Sequence, residues 1–250
     1  MQDDDPIELW NRKAEEWRFQ VGQEGDANRR LNSDPVLWRF LGPVAGLTVL
    51  DAGCGTGYLS RQLARKGARV VAVDAAARMI EVARQDSDPA LAIDFRVAGC
   101  ADLAGIGDRS VDRIVSNYVL MDLPELDACL RAFHRVLKPD GRAVLVFSHP
   151  CFPLGDGTDP DAEGAVTFTW RAPYFGEREV KEPAWRHFTS DFVWYHRPLS
   201  AYWRAFRDAG FRVEDFDEPI LAPAARRDLD EDRVRSYLMR PGSVAFRLAV

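Results

Sequence analysis

The sequence predicts an α/β fold in which a doubly wound, mainly parallel β-sheet carries helices on both faces. Short apolar runs alternate with segments of helical period from Thr48 to Phe147, and strands that alternate with helices form parallel sheets. The fifth of these runs is nearly all apolar, as a strand buried on both faces should be. A glycine-rich loop at residues 53–57 follows the first run and leads directly into a helical pattern.

The N-terminal residues 1–46 are expected to form a helical cap. Four apolar residues recur at helical spacing and predict an amphipathic helix over about residues 6–19: Ile7, Trp10, Ala14 and Trp17. Residues 22–28 are expected to be a loop. Pro35 then opens a short helix that runs through Phe40 and has Asp34 as a plausible cap.

The central part of the chain contains five candidate strands, at residues 48–51, 69–74, 93–98, 111–117 and 142–147. Helices over residues 58–66 and 77–85 follow the first two strands. An apolar face after Pro124 predicts a helix before the fifth strand; its members are Leu126, Leu130, Phe133 and Leu137. Pro139-Asp140-Gly141 is expected to end that helix with a turn.

The alternation breaks after Ser148. Residues 149–197, called the insertion below, are rich in proline, glycine and aromatic residues and show no sustained period. Such long irregular segments are usually functional, so the insertion is interpreted as a lid that binds substrate. The alternation resumes with a helix that begins at Leu199. Two more strands, at residues 211–216 and 244–249, bring the count to seven in a single domain of residues 1–250. The charged residues 226–235 are interpreted as a solvated helix or loop.

Composition narrows the functional classes. The 250 residues are 46% hydrophobic and 29% charged, with a formal net charge of −6, which is ordinary for a globular protein. An acidic balance without a basic run argues against nucleic acid as a partner. Four cysteines lack any metal or disulfide spacing, and neither an export signal nor a membrane-spanning apolar stretch is seen. The chain is therefore expected in the cytoplasm, away from membranes.

The glycine loop carries the most specific signal in the chain. It reads Val49-Leu50-Asp51-Ala52-Gly53-Cys54-Gly55-Thr56-Gly57, and a further acid, Asp74, ends the next apolar run. Closely spaced glycines let a backbone pass under a ligand, and the start of the following helix offers free N–H groups. A dinucleotide site would need its third glycine at position 58, where this chain has Tyr58.

The loop resembles motif I of the class I S-adenosylmethionine-dependent methyltransferases. Residues 135–141, Arg-Val-Leu-Lys-Pro-Asp-Gly, resemble the turn before strand five in the same family, and the closest likeness is to its small-molecule branch, as in quinone biosynthesis and secondary metabolism. The resemblance implies a Rossmann-like sheet of order 3-2-1-4-5-7-6 with the last strand antiparallel. It also implies S-adenosylmethionine as cofactor and S-adenosylhomocysteine as product.

Several residues are expected to bind that cofactor. The resemblance places Gly53, Gly55 and Gly57 against the methionine portion and Asp74 on the ribose hydroxyls, while Asp51 suits the ammonium group. The resemblance also implies that Asn117, at the end of strand four, lies between cofactor and acceptor. The resemblance places Met79 near the adenine face. Packing in the hydrophobic core is an equally good interpretation of this methionine.

Two contacts are left open by the sequence. In related sequences an acid after strand three accepts from the adenine amino group, but that position holds Cys100 here. The resemblance therefore leaves adenine recognition either to Asp102, shifted by one residue, or to a backbone amide near Ala101. The methionine carboxylate needs a cation or several N–H donors, and Arg30 or Arg29 is the candidate. Residues 117–120, Asn-Tyr-Val-Leu, lack the Asn/Asp-Pro-Pro-Tyr run of enzymes that methylate DNA amines, which counts against DNA.

Histidines are the candidate catalytic groups. His149 follows strand five at the sheet edge where open α/β sheets bind ligands, and its pKa suits a general base; the alternative is a strand-end cap. His196 closes the insertion and is expected to face the pocket from the other side. No residues have the spacing of metal ligands, so no metal is expected. About half of the aromatic residues of the insertion are expected to line a site for the acceptor, and the others to pack together as a small core of the insertion.

The sequence therefore predicts methyl transfer from S-adenosylmethionine to a hydroxyl, amine or carbon of a small-molecule metabolite. The alternatives are a protein or RNA methyltransferase and a protein that binds the cofactor without methylating. The acceptor's identity and the oligomeric state are not determined by the sequence.

Overall fold

The computed structural model describes residues 5–152, 155–158, 161, 165–221, 225–228, 234 and 238–250. Residues 1–4 and most of the charged stretch predicted at 226–235 lie outside this part of the chain. Seven strands form one sheet in the order β3-β2-β1-β4-β5-β11-β10. Counted without the four strands of the insertion, this is the order 3-2-1-4-5-7-6, so the predicted fold class is confirmed.

The strands of the sheet lie close to their predicted positions. β1 to β5 and β10 run parallel, and β11 is antiparallel to both of its neighbours. Their bounds are β1 Thr48–Ala52, β2 Arg69–Asp74, β3 Ile93–Val97, β4 Val111–Asn117, β5 Leu137–Ser148, β10 Arg212–Asp217 and β11 Ser243–Ala249. Because β1, β2 and β4 are adjacent and parallel, their carboxyl ends meet at one edge of the sheet.

The α-helices whose bounds lie in the described part of the chain accompany the sheet. They are α1 Pro6–Val21, α2 Asp34–Leu41, α3 Tyr58–Arg65, α4 Ala77–Gln85, α5 Leu126–Val136 and α6 Leu199–Asp208. A single π-helical turn, Arg29–Ser33, leads into α2, and a 3-10 turn, Leu120–Asp122, follows β4. Apolar side chains of β4 and β5 enter two cores, one on each face of the sheet. The doubly wound arrangement thus buries both faces of the sheet.

The predicted turn at Pro139-Asp140-Gly141 is wrong. β5 already begins at Leu137, and its pairing with β4 shifts register: Val111 faces Leu137, but Arg113 faces Arg142. The three residues therefore form a bulge inside the strand, which absorbs extra residues without ending the pairing. A Cβ on Gly141 would lie 2.8 Å from the Lys138 carbonyl oxygen, so the bulge needs glycine.

The insertion contains regular structure that the sequence did not reveal. β6 (Gly155–Gly157) pairs with β7 (Phe168–Trp170), and β8 (Arg178–Glu182) pairs with β9 (Phe192–His196), both antiparallel. The β8–β9 ribbon is tied to α1, because the Glu16 carboxylate accepts hydrogen bonds from the Thr189 hydroxyl and amide at 2.7 and 3.3 Å. None of the helices in the described ranges has the length and apolar character needed to cross a membrane.

Candidate functional site

Two adjoining cavities open at the carboxyl edge of the sheet. The glycine-loop cavity, about 280 Å³, is lined by Gly53–Thr56, Asp74 and the first turn of α4, among others. The aromatic cavity, about 350 Å³, lies between α1, the end of β5 and the β8–β9 ribbon. Five residues line both cavities: Trp10, Trp17, Arg29, Tyr118 and Asp122. The two cavities therefore share part of their walls.

The glycines of the loop have two different roles. Gly53 has φ +78°, and a Cβ on it would lie 2.4 Å from Val119 Cγ2, so no other residue fits. Gly53 and Gly55 line the glycine-loop cavity, as predicted. Gly57 does not; it starts α3, and a Cβ there would lie 3.0 Å from Ala83 Cβ. The prediction that Gly57 contacts the ligand is corrected, since this glycine serves close helix packing.

Asp74 ends β2 and lines the glycine-loop cavity. One carboxylate oxygen accepts a hydrogen bond from the Gly55 amide and the other from the Ala76 amide, each at 2.9 Å. Burial raises the pKa of this carboxyl, and the two amides oppose the rise. Each oxygen keeps a further lone pair, so the carboxylate can accept two hydroxyl groups side by side, as the prediction for Asp74 requires.

Asp51 is not part of the cavity wall, which corrects its predicted contact with a ligand ammonium group. It is 2% exposed, and its carboxylate accepts a hydrogen bond of 2.6 Å from the Ser60 hydroxyl on α3. Burial raises the pKa of Asp51 to about 7. Because side chains alternate along a strand, this position of β1 faces the helix behind the loop and fastens α3 to the sheet.

The far end of the glycine-loop cavity is lined by Met79, Gly99, Cys100 and Ala101. Asp102 is absent from this wall: it is exposed, and its carboxylate accepts from the Ala104 amide at 3.2 Å. The sequence left two alternatives for an adenine contact. The backbone near Ala101 lies at the cavity, so the alternative prediction of an Asp102 contact is corrected. Met79 lies there too, while also packing in a small core with Ala76 and Val82.

The arginine that reaches the cavities is Arg29, so the choice of Arg30 is corrected. Arg30 is exposed, whereas Arg29 is 6% exposed and lines both cavities. Its guanidinium pairs with Asp26 at 3.0 Å and lies over the Trp17 ring at 5.0 Å. The Nε of Arg29 has no partner among the described residues. The π-helical turn points this residue inward and its neighbour outward.

Asn117 lines the glycine-loop cavity, as predicted. Its amide nitrogen donates to the Tyr58 hydroxyl at 2.7 Å, and that hydroxyl donates to the Asp34 carboxylate at 3.1 Å. The amide oxygen of Asn117 is buried without a partner in the described part of the chain. Buried polar atoms of this kind are rare in folded proteins, and this one borders the ligand space.

Sequence reasoning missed Tyr118. It adopts the left-handed region, φ +59°, which is rare for a bulky residue and costs energy. Its hydroxyl accepts from the Asn28 amide at 2.7 Å and hydrogen-bonds Ser243. This strained backbone places the ring between the two cavities, and no sequence pattern signals it.

His149 lines neither cavity, which corrects its assignment as the general base. It is 7% exposed; its Nε2 lies 2.9 Å from Glu218 Oε1, and its Nδ1 accepts from the Cys151 amide at 3.3 Å. Burial lowers the pKa of His149, and Glu218 opposes this. With both ring nitrogens occupied, His149 caps the end of β5, which was the alternative reading.

His196 lies in the wall of the aromatic cavity, as predicted. Its Nε2 donates to the Tyr174 carbonyl at 2.6 Å, which fixes the proton on that nitrogen. The Nδ1 is buried with no partner in the described residues, and burial lowers the pKa of the ring. His196 is therefore neutral, with one unused acceptor atom.

The insertion's aromatic residues divide as the sequence suggested. Trp185 and Phe192 line the aromatic cavity. Phe152, Phe168 and Trp170 pack against one another instead, with ring centroids 4.7 to 6.3 Å apart. In the described ranges no three metal-ligating side chains come together.

The comparisons agree with this geometry. Residues 50–145 match a methyltransferase domain family. A ubiquinone biosynthesis O-methyltransferase from Xanthomonas oryzae pv. oryzae is 40% identical over 103 residues, which are 41% of this chain and 43% of that protein. The matched stretch thus spans less than half of the relative.

Solved structures resemble the chain over a greater length. An S-adenosylmethionine-dependent methyltransferase from Mesorhizobium loti has a TM-score of 0.74 at 23% identity, covering 92% of this chain and all (100%) of that one. One from Listeria monocytogenes has a TM-score of 0.71 at 24% identity, covering 86% and 95%. At these identities the likeness supports the fold. The domain match shows what residues 50–145 are similar to, in keeping with the predicted family.

Proposed function

Because residues 50–145 match a methyltransferase domain family, we propose that the chain is a class I S-adenosylmethionine-dependent methyltransferase that transfers a methyl group to a hydroxyl, amine or carbon of a small molecule. The single observation that carries the proposal is the pair of cavities with five residues in common. Methyl transfer needs donor and acceptor aligned and kept from water, and positioning alone supplies roughly 7–11 kcal/mol.

The glycine-loop cavity fits S-adenosylmethionine group by group. Asp74 would accept the two ribose hydroxyls, and the wall at Met79 and Ala101 would take the adenine. Arg29 would meet the methionine carboxylate, which satisfies a guanidinium that the protein leaves partly unpaired. The partnerless oxygen of Asn117 is suited to the ammonium group. When bound, S-adenosylmethionine supplies a methyl group on a positively charged sulfur.

The aromatic cavity favours a flat, partly apolar acceptor. Its walls include Trp10, Trp185 and Phe192, and its polar groups include Trp194 and His196. The Trp194 indole N–H and the His196 Nδ1 both lack partners among the described residues, so they offer one donor and one acceptor. An aromatic ring that bears a hydroxyl fits this set, in keeping with the name of the O-methyltransferase relatives.

We place the reaction in the cytoplasm and expect no nucleic-acid substrate. All four cysteines are free thiols, which suits a reducing compartment. The net charge of −6 would repel a phosphate backbone.

Calorimetric titration with S-adenosylhomocysteine and, in parallel, NADH tests the cofactor. We expect micromolar binding of the first ligand only. Incubation with methyl-labelled S-adenosylmethionine and a panel of small phenols and amines then tests transfer. Binding of NADH alone, or of neither ligand, would refute the proposal.

A further inference from the structure

Asp122 stands where the two cavities meet. It ends the 3-10 turn that follows β4, and among the five residues that line both cavities it is the carboxylate. Sequence reasoning passed over it, although an acid shortly after a parallel strand is a signal for a site at the sheet edge. A group here can reach a donor in one cavity and an acceptor in the other.

The backbone around Asp122 is held firmly in place. The Asp122 amide donates to the Val119 carbonyl at 2.8 Å. The Arg197 guanidinium, from the end of the insertion, donates to the carbonyls of Leu123 and Pro124 at 2.7 and 2.9 Å. The backbone on both sides of Asp122 is therefore held by hydrogen bonds. The Asp122 carboxyl group lines the two cavities.

The charge of Asp122 depends on what surrounds it. Burial raises its pKa to about 8; the Asp74 carboxylate adds to the rise, and the Lys13 ammonium opposes it. Within the described part of the chain, no hydrogen bond contributes to this shift in the pKa. Asp122 also interacts electrostatically with the Tyr202 hydroxyl. The cavities that Asp122 lines contain further charged or titratable residues, which include Asp5, Asp26, Arg29, Tyr118, Glu125, Glu182, Arg186, Tyr195, His196 and Arg197. In the free protein at neutral pH, Asp122 is mostly protonated.

We propose that Asp122 is the general base of the transfer and that it takes a proton from an O–H or N–H group of the acceptor. This inference rests on the proposed function. The lone pair of the acceptor's oxygen or nitrogen forms the new bond to the methyl carbon. The carbon–sulfur bond breaks with its electron pair remaining on sulfur, and the acceptor's proton moves to the Asp122 carboxylate. S-Adenosylmethionine is thus consumed as a substrate and leaves as the neutral thioether.

The charge of the methyl donor would switch this base on and off. A positive sulfonium beside a carboxyl favours its ionised form and lowers its pKa. Asp122 would therefore lose its proton when S-adenosylmethionine binds. After transfer the sulfur is neutral, so the carboxyl again prefers the proton that it has just received.

His196 is less suited to this role. It lines the aromatic cavity but not the glycine-loop cavity, and its Nε2 is committed to the Tyr174 carbonyl. A base must lie within hydrogen-bond reach of the reacting group, which itself must touch the methyl carbon. That point lies at the junction, so His196 is left to bind the acceptor.

Proton release on ligand binding tests the inference. The whole chain is titrated at pH 7 with S-adenosylmethionine and with S-adenosylhomocysteine, each in phosphate and in Tris, whose ionisation enthalpies differ. The two ligands share the ribose and the methionine carboxylate, so the difference between them isolates the sulfonium charge. We expect S-adenosylmethionine to release at least about 0.5 proton more per site.

Asp122→Asn should abolish that difference and still bind S-adenosylhomocysteine within about threefold, because the amide has the same shape and the sulfur of that ligand is neutral. Asp127→Asn is the matched control: Asp127 is an exposed acid in the first turn of α5, and the difference should persist in this variant. Equal proton release by the two ligands in the unaltered chain, or a difference that survives in Asp122→Asn, would refute the role of Asp122 and leave the proposed function standing. Failure of both ligands to bind would refute the two together.

Discussion

The two cavities are built in different ways. The glycine-loop cavity is assembled largely around the ends of β1, β2 and β4, where the Asp74 carboxylate is held by the Gly55 amide. The aromatic cavity is assembled from side chains that are far apart in the sequence: Glu16 binds Thr189, and the Lys13 ammonium donates to the Asp191 carbonyl. The sheet positions the first cavity, whereas long-range contacts position the second. Substitutions should therefore act sharply in the first and more gently in the second.

The largest effect is expected from Asp74→Ala. The change would remove the two hydrogen bonds that we propose to the ribose hydroxyls, each worth about 1.5–3 kcal/mol because the acceptor is charged. It would also free the amides of Gly55 and Ala76. We expect the affinity for S-adenosylhomocysteine to fall at least about 100-fold, as measured by calorimetry. Asp102→Ala is the control, since Asp102 is exposed outside the cavity, and its affinity should not change. An unchanged affinity in Asp74→Ala would refute the ribose assignment.

The sequence was sufficient for the first region because the relevant signals are local. Glycine spacing and an acid at the end of a strand pointed to Gly53, Gly55 and Asp74, which line the cavity, and the period of the strands predicted the sheet. The same signals failed where a side chain could turn either way. The side chain of Asp51 lies on the face of β1 that points toward Ser60. The inward orientation of Arg29 depends on a π-helical turn, which no local sequence pattern predicts.

The second region could be predicted only in outline. An aromatic-rich insertion was evident, but whether His149 or His196 reaches the cavity depends on Glu218 and Tyr174, which are distant in sequence. The strained backbone of Tyr118 depends on packing around the end of β4. These contacts exist only once the chain has folded, so composition and period carry no record of them.

Arg29→Gln should have the second-largest effect. We expect the affinity for S-adenosylhomocysteine to fall about 10- to 100-fold, because a charge-assisted contact with the methionine carboxylate is lost. Methylthioadenosine, which lacks that carboxylate, should bind the variant and the unaltered chain equally well, and this separates a lost contact from misfolding. Arg30→Gln, one residue along on the exposed side, should match the unaltered chain. Equal losses of affinity in Arg29→Gln and Arg30→Gln would contradict the assignment of the carboxylate contact to Arg29.

The two regions should also respond to pH in opposite directions. On the glycine-loop side burial raises the pKa of Asp34, Asp51 and Asp122 to about 6, 7 and 8. Raised carboxyl pKa values stabilise the folded state most below pH 4, and this contribution is lost as the pH rises through 6 to 8. In and beside the insertion, burial lowers the pKa of His149 and His196. A histidine that resists protonation in the folded state weakens it as the pH falls below 6.5.

The smallest expected effect is a loss of stability in acid that is confined to the β8–β9 ribbon. It follows from the lowered pKa of His196. Lowering the pH from 7.5 to 5 should increase opening of the ribbon severalfold, since protonated His196 would carry an Nδ1–H with no partner in the described chain. Amide hydrogen exchange of β8 and β9, corrected for intrinsic rates, measures it. His196→Gln can still donate to the Tyr174 carbonyl but does not titrate, so its ribbon should lose the acid sensitivity. His187→Gln is the matched control, because His187 also contacts a backbone carbonyl through Nε2, that of Glu16 at 3.2 Å. If the ribbon of His196→Gln opens in acid as readily as that of the His187 variant, burial of His196 is not what couples the insertion to pH.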